Sequence, residues 1–545
     1  MRRAVAFALP LLLAVSITAC TRTTTAGEGG GRHGWTTPGV LRVALYISPN
    51  TLNPILTSAT GESLITRLVA DPLVDVDPKG NEVAVLAAQV PTLQNGGISK
   101  DGLTYTYKLR QNVKWHDGAP FSSADVKFSW HAVMNRANNV ASVRGYDQVQ
   151  SVDTPDKYTI VFHLKKPFAP FVDTIFSESD APYQVIPEHL LGKFKNLNQN
   201  PYNAEPIGTG PFKFAKWVRG DRIELVANAD YFLGKPKLDK IILKILPDAN
   251  TEATQIRDHE IDLLPELPGL QYRDLRTAPD VQIVSTESPQ WEGIAYNASR
   301  APLNDSLVRE AISYGVDKKK IMDETQFGAA TPGTESIPSY SWAYNPNVLR
   351  YDYNPEKAKA LLDQAGWKPG SDGVRIKNGQ RLSLLFIVAQ GSSAAQTIAT
   401  LAQAQLKPIG VETLMKSYSY TMLYATMAQG GILNGGKYDL AIYAWVYGAD
   451  PDDSSSFLCQ YIPPTGNNVF RYCDKQFDAL EQQALSHPDR AVRKAAYAKA
   501  QELMAKDNPA DFLFYRKQLA AINPDLKGYD PNGITASWDA YNWSI

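Results

Sequence analysis

The chain has 545 residues, which is enough for several domains and a large buried core. Apolar residues make up 44%, with only 37 Gly and 36 Pro, and this composition excludes a disordered or collagen-like chain. Lys plus Arg number 55 against 56 Asp plus Glu, so no positive excess can attract nucleic acid, and we expect no nucleic-acid partner. The 27 Tyr and 10 Trp side chains are typical of an aromatic ligand cleft.

The first predicted element is an export signal over residues 1–19. Two arginines precede an apolar run that is too short to cross a hydrocarbon layer of about 30 Å. Residues 17–20 read Ile-Thr-Ala-Cys and resemble the lipobox of bacterial lipoproteins, which implies two acyl chains on Cys20. The alternative is an ordinary secretory signal with a chance Cys.

The mature chain is expected at the extracytoplasmic face of a bacterial cell membrane. Residues 20–35 are rich in Thr and Gly and predict a lipidated, flexible tether. No later stretch reaches 18 uninterrupted apolar residues, so we expect membrane contact through the lipid anchor only.

From residue 41 onward, short β-rich runs alternate with amphipathic helices, which predicts an α/β chain. The clearest helix has Asn354 as its cap and Pro355 at its first position, and it ends at Gly366. The strands before residue 165 lie among long loops and predict a separate, loop-rich domain. Further predicted elements are strands 104–109, 159–164, 382–388, 411–415 and 438–445 and helices 392–407, 474–486 and 489–504.

Enzyme motifs are incomplete. Residues 431–437 spell most of a phosphate-binding loop, but Tyr438 stands where a Ser or Thr hydroxyl must reach Mg²⁺. The seven His include no i, i+4 pair, and the chain has no HExxH or GxSxG motif. We therefore expect no catalytic residues, metal or cofactor, with a secreted hydrolase as the alternative.

Dispersed motifs carry a family resemblance over nearly the whole chain after residue 35. In order and spacing they resemble the large extracytoplasmic solute-binding proteins of peptide and nickel ABC importers, the dipeptide- and oligopeptide-binding lipoproteins of family 5. The motifs are residues 101–129, 208–212 (Gly-Thr-Gly-Pro-Phe), 228–232, 307–312 (Leu-Val-Arg-Glu-Ala-Ile), 358–367 and 445–451.

The resemblance implies an α/β, two-lobed periplasmic-binding-protein-like fold of class II type, with an inserted α+β domain and a ligand cleft between the lobes. It implies a monomer that captures peptides and delivers them to ABC importer permease subunits driven by cytoplasmic ATPases. An oligosaccharide, a nickel complex or haem are the alternative solutes. The implied division is residues 36–75, 203–288 and 515–545 for lobe I, 76–202 for the extra domain and 289–514 for lobe II.

The resemblance also implies ligand contacts on three segments, while Trp291 fits a core position or a ligand shelf equally well. In the family's peptide binders, an Asp three residues after a cleft Trp pairs with the peptide α-amino group. Here that offset holds Gly448, so Asp450 is either the amine ligand or only a turn residue before Pro451. The implied contacts are Ser58, Thr60, Tyr296, Asn297, Trp445, Tyr447 and Asp450.

Two further local features are predicted. Gly208 and Gly210 are interpreted as a tight turn whose glycines permit positive φ and whose Pro211 fixes the exit, so that the motif holds a crossing of two chain segments and not a ligand. Cys459 and Cys473 are predicted to form a disulfide, because both lie outside the cytoplasm and Cys20 is consumed by lipid. The alternative is two buried free cysteines.

Overall fold

The computed structural model describes residues 32–57, 60–177 and 182–545. The predicted signal segment, Cys20, most of the predicted tether and Ser58 lie outside the described residues. Within the described ranges, no helix is both long and apolar enough to cross a membrane.

The last residues of the predicted tether are packed against the body. The backbone amide of His33 donates to the Asp525 carboxylate (2.8 Å), and a ring nitrogen of His33 lies 3.0 Å from the same carboxylate. The Trp35 ring stacks on His259 with 3.9 Å between ring centroids. These contacts hold the chain against the body from His33 onward, and the predicted tether bounds stay a prediction.

The strands of the described residues belong mainly to one large sheet. Its spatial order is β17-β16-β18-β11-β19-β10-β1-β9-β8-β7, and β12 pairs with β19. A separate sheet has the order β4-β6-β5. In chain order the strands are β1 (Val40–Leu45), β2 (Val74–Val76), β3 (Glu82–Ala84), β4 (Thr104–Lys108), β5 (Val149–Asp156), β6 (Thr159–Leu164), β7 (Phe212–Val218), β8 (Arg222–Ala227), β9 (Lys240–Ile245), β10 (Leu263–Leu264), β11 (Gln282–Tyr296), β12 (Ala330–Pro332), β13 (Lys368–Pro369), β14 (Arg375–Lys377), β15 (Gln380–Arg381), β16 (Ser383–Ala389), β17 (Glu412–Tyr418), β18 (Leu440–Val446) and β19 (Ala510–Ile522).

Two long antiparallel strands join the two lobes. β11 pairs with β19 from Gln282 opposite Ile522 to Ala295 opposite Ala510. On one side β19 continues through β10 into the strands of lobe I, and on the other side β11 continues through β18 into those of lobe II. Each lobe is therefore an α/β layer built on its own half of the sheet.

Helices cover the sheet, and their starts follow the predicted caps. The Asn354 side chain accepts a hydrogen bond from the Lys357 amide (2.9 Å), and Gly366 follows the helix at φ +87°, which confirms that helix. In chain order the helices are α1 (Thr60–Val69), α2 (Ser123–Met134), α3 (Phe171–Thr174), α4 (Glu188–Leu191), α5 (Ala249–Arg257), α6 (Gly269–Leu275), α7 (Ser306–Gly315), α8 (Lys318–Gln326), α9 (Pro355–Gln364), α10 (Ser393–Leu406), α11 (Tyr420–Tyr424), α12 (Ser454–Phe457), α13 (Lys475–Ser486) and α14 (Arg490–Asp507).

Several groups of buried apolar side chains fill the described part of the molecule, and the three largest lie in different parts of the fold. One lies under β4, β5 and β6 and includes Trp115 and Phe162. A second packs between α1 and the lobe I strands, with Trp543 from the end of the chain. A third lies between the lobe II strands and helices α7, α9 and α10. Separate cores are what three packed units require, while the residue boundaries given above stay a prediction.

Gly208 and Gly210 lie at a close crossing of two backbone segments, and neither has a positive φ. The Gly210 amide donates to the carbonyl of Val69 (2.8 Å), and a Cβ on either glycine would overlap the backbone of Val69. The geometry agrees with the predicted chain crossing, which uses the absence of a side chain and not positive φ. These glycines permit the close approach of two backbone segments.

Cys459 and Cys473 are joined by a disulfide with an S–S distance of 2.09 Å. The loop between them is also held from inside by Asn468. Its side-chain amide donates to the carbonyls of Phe457, Leu458 and Tyr472 at 2.7 to 3.1 Å. The closed loop packs beside the segment that follows β18.

Candidate ligand-binding cleft

An irregularity in the sheet marks the junction of the lobes. The register between β11 and β19 shifts between Glu287 and Trp291, so residues 288–290 stand opposite Arg516 alone. Such bulges bend a strand and turn its side chains and backbone away from the ladder. Here the bulge directs Ser288 and Gln290 into the space between the lobes.

The main cavity lies at this junction and has a volume of about 520 Å³. Lobe I contributes α1, the loop after β10 and residues 533–536, the joining strands contribute residues 288, 290 and 516–519, and lobe II contributes Val446 and Tyr447. This size suits a ligand of several residues. A solute held here would contact both lobes together.

Two further cavities continue the cleft past the end of β18. One, of about 410 Å³, is lined by Tyr340, Trp342 and Arg490, and faces residues 79–81. The other, of about 40 Å³, lies beside Trp445. Tyr447 lines all three cavities, so the three chambers meet the segment after β18.

Tyr447 is held by a buried tryptophan. The indole N–H of Trp291 donates to the Tyr447 hydroxyl (3.3 Å), and the Trp291 ring packs edge-on against Phe512 with 4.7 Å between centroids. Trp291 is fully buried, so it occupies the core position and is not a ligand shelf. Of the predicted contacts, Trp445 and Tyr447 therefore both reach the cleft.

Asp450 is paired inside the protein. Its carboxylate oxygens lie 2.7 and 2.8 Å from one guanidinium nitrogen of Arg493 on α14, and both side chains are less than a tenth exposed. Burial raises the pKa of the Asp450 carboxyl, and the charge of Arg493 opposes that rise. The charge of Asp450 is thus balanced by Arg493, which favours the turn-residue alternative over the ligand amine.

Tyr296 and Asn297 support the sheet instead of lining the cleft. Both are fully buried, and the Tyr296 hydroxyl is hydrogen-bonded to Ser313 (2.9 Å). The Asn297 amide donates to the carbonyls of Gly436 and Tyr438 (3.1 and 3.0 Å). Their predicted role as ligand contacts is wrong for this geometry, since their polar atoms are bonded within lobe II.

The predicted contacts after the first strand are described only in part. Ser58 lies outside the described residues, and for Thr60 the structure gives the backbone at the start of α1 but not the side chain. Their neighbour Thr57 lines the main cavity. Thr57 therefore borders the cleft, and the roles of Ser58 and Thr60 stay predictions.

Charged side chains line the main cavity on both sides. The guanidinium of Arg516 donates to the Glu292 carboxylate (2.5 and 2.8 Å), and the ammonium of Lys517 lies 3.5 Å from Glu287. Arg67 pairs with Asp75. Each of these positively charged side chains is therefore paired with a carboxylate. The exposed N–H groups of Arg516 and Lys517 can still donate hydrogen bonds to a ligand.

Sequence reasoning missed the side chains of β19 and of the loop after β10. Arg516, Lys517 and Gln518 follow apolar residues in a strand, and no motif distinguishes them from ordinary surface residues. Glu266 lies between Pro265 and Pro268, which restrict the backbone directly after a buried strand. This local rigidity is the sequence feature that could have indicated a functional role for Glu266. Among the described residues, no group of three or more His, Cys, Asp or Glu could hold a metal ion.

Two lobes joined by a strand pair, with a large polar and apolar cavity at the junction, define a two-lobed solute-binding protein. The comparisons agree with this class. The family model "Bacterial extracellular solute-binding proteins, family 5 Middle" matches residues 86–468.

Curated relatives match most of the chain. This chain is 27% identical to the oligopeptide-binding protein AppA of Bacillus subtilis over 527 residues. The alignment covers 95% of this chain and 94% of AppA. The chain is 28% identical to the dipeptide-binding protein of Escherichia coli (89% and 91% covered) and 28% identical to heme-binding protein A of Haemophilus influenzae (79% and 80%).

Solved structures show the same fold. Bacillus subtilis AppA in complex with a nonapeptide matches with a TM-score of 0.72 at 27% identity, covering 93% of this chain and 99% of that chain. NikZ of Campylobacter jejuni in complex with Ni(L-His) matches with a TM-score of 0.76 at 27% identity (94% and 100%). The chain belongs to the bacterial extracellular solute-binding proteins of family 5, which are binding components of transport and not enzymes. The predicted family and two-lobed fold are confirmed.

Proposed function

We propose that this protein captures peptides in the cleft between its lobes and delivers them to the permease of an ABC importer. Two acyl chains on Cys20 would hold it at the outer face of the membrane. The importer's cytoplasmic ATPases would then drive uptake. The proposal includes the domain division given above and a monomeric binding protein.

The observation that carries this proposal is the backbone after β18. The N–H and C=O groups of Gly448 and Ala449 form none of the hydrogen bonds found among the described residues, and both residues line the cleft. Every peptide presents the complementary groups in its own backbone, whatever its side chains. The chambers on either side leave room for variable side chains and for bridging water.

The two larger chambers favour a peptide over a compact solute. Both are lined by Tyr447, and one is otherwise lined mainly by α1, the loop after β10 and β19, the other by Tyr340, Trp342 and Arg490. An extended peptide rises about 3.3 Å per residue, so a chain of several residues can pass Tyr447 and enter both chambers. A single metal complex would fill only one of them.

A thermal-shift screen of the purified mature protein tests the proposed solute. Alanine peptides of two to five residues should raise the free energy of unfolding by about 2.7 kcal/mol at a concentration of 100 times Kd, because ligand binds only the folded state. The comparison solutes are an oligosaccharide, a nickel-histidine complex and haem. Stabilisation by one of these alone, with none by peptides, would contradict peptide capture, and turnover of a peptide would support the hydrolase alternative.

The lipid anchor has its own test. Cys20→Ser should leave the protein in the aqueous phase after detergent partitioning, because a single missing thiol removes both ester-linked chains. The wild-type protein should enter the detergent phase. A Cys20→Ser protein that still partitions with detergent would contradict the anchor and leave peptide binding untouched.

A further inference from the structure

Glu266 differs from the other charged side chains of the main cavity. It lies in the loop between β10 and α6, with Pro265 before it and Pro268 two residues after it. The amide of the next residue, Leu267, donates to the carbonyl of Leu519 on β19 (2.8 Å). The backbone at Glu266 is therefore fixed against a strand that joins the lobes.

No described residue forms a hydrogen bond or an ion pair with the Glu266 carboxylate. The cavity's cations, by contrast, have acidic partners, as Arg516 has Glu292 and Lys517 has Glu287. A half-buried carboxylate without a partner is costly in the free protein, so the site gains when a positive charge arrives. Among the described residues, Glu266 is thus the acidic side chain of the cavity lining that has no partner.

We propose that Glu266 binds an ammonium group of the solute, either the peptide α-amino group or the side chain of a lysine. The inference rests on the proposed function, because it names the group that would select among peptides in the same cleft. It assigns to lobe I the contact that Asp450 does not make. A charge-assisted hydrogen bond in a desolvated site would fix the position of the peptide in the cleft.

The titration of Glu266 supports this role. Burial raises the pKa of its carboxyl to about 7. The neighbouring groups are Glu252 on α5, whose own pKa is raised to about 7 by burial and by the charge of Glu266, and Tyr529. Lys517 and Arg516 line the same cavity with their charges paired. A bound ammonium would stabilise the ionised carboxylate and release its proton.

The test compares alanine peptides of two to five residues that have a free amino terminus with the same peptides acetylated. A third series is acetylated and carries one Lys in place of Ala. Wild type should bind a positively charged series roughly tenfold or more tighter than the neutral acetylated series. Glu266→Gln should remove this preference and leave the affinity for the neutral series unchanged.

Glu260→Gln is the matched control, because Glu260 lies in the same lobe with its side chain 64% exposed and outside the cavity lining. It should keep the full preference. A preference that survives in Glu266→Gln, or equal affinities for all three series in wild type, would overturn the role of Glu266 while peptide binding stands. Wild type that binds none of the peptides would overturn both proposals.

Calorimetry in buffers of different ionisation enthalpy gives a second readout that needs no loss of affinity. At pH 7, about half of a group with a pKa near 7 is protonated, so binding of a charged peptide should release up to about half a proton from wild type. Glu266→Gln should release about that much less. Equal proton release from both proteins would overturn the proposal.

Discussion

The ion pair between Asp450 and Arg493 balances two buried charges beside the cleft. Arg493 also donates to the carbonyl of Ala484 at the end of α13 (2.8 Å), so one guanidinium connects α13, α14 and the segment after β18. A buried pair of this kind contributes most visibly when one partner is removed, since the other charge is then left without compensation.

Arg493→Ala is therefore expected to lower the free energy of unfolding by about 3 to 5 kcal/mol. Arg490→Ala is the control, because Arg490 is 46% exposed and lies 3.6 Å from Glu82, and it should cost about 0 to 1 kcal/mol. Urea denaturation of the two variants measures the difference. An equal decrease in the free energy of unfolding for the two variants would show that the buried pair stabilises the protein no more than an exposed one.

Glu335 predicts how stability depends on pH. The side chain is 1% exposed, and burial, followed by the negative charge of Asp453, raises the pKa of its carboxyl to about 9. The folded state therefore holds a proton that the unfolded chain has released above its ordinary pKa near 4.5. Stability should fall as the pH rises from about 5 to 9, by at most about 1.4 kcal/mol per pH unit for this proton.

Thermal unfolding between pH 5 and 9 measures this slope in wild type and in Glu335→Gln. The variant keeps a neutral side chain of nearly the same shape, so its slope should be smaller by the contribution of one proton. Glu324→Gln, whose side chain is 47% exposed, should retain the wild-type slope. A slope unchanged in Glu335→Gln would show that this carboxyl is ionised in the folded protein.

At the scale of elements, the disulfide and Asn468 close the same loop from two directions. Replacing both Cys459 and Cys473 by Ser should lower the free energy of unfolding by about 3 kcal/mol, because the unfolded chain regains the freedom of a loop of 14 residues. Denaturation of the double variant beside wild type measures the loss. Two thiols that react with an alkylating reagent in unreduced, unfolded wild type would contradict the disulfide.

Helix ends were the most predictable elements. Asp474 and Asp489 each accept hydrogen bonds from the first turn of the helix that follows, as their position before an amphipathic run predicts. Strands β4 and β6 also lie within one residue of their predicted bounds. These elements depend on a few neighbouring residues, so local sequence is enough to place them.

The site was less predictable because its contacts join distant segments. Asp450 and Arg493 are 43 residues apart, and no spacing rule pairs an Asp before proline with a helix residue of that separation. The family resemblance predicts Asn297 as a ligand contact. In the structure its side-chain amide donates instead to two carbonyls of the loop before β18. Side-chain partners of this kind are decided by tertiary packing.

At the scale of the whole molecule, the cavity predicts closure. Because its lining comes from both lobes, a ligand that touches both favours the closed form over the open one. A saturating peptide should therefore reduce the radius of gyration measured by small-angle X-ray scattering. A solute that gives no thermal shift should leave the radius unchanged, and a peptide that binds without any decrease would contradict closure.

The central place of β19 has a consequence for biosynthesis. It lies between β10 and β11, yet it is made after every other strand of the sheet. Until β19 has been synthesised, the edge of β10 in lobe I and the edge of β11 next to lobe II have no partner strand. The sheet of neither lobe can therefore be completed while the chain is still emerging from the ribosome. A sheet that is completed only by its last strand suits a protein of an extracytoplasmic family, because such a chain should fold after export.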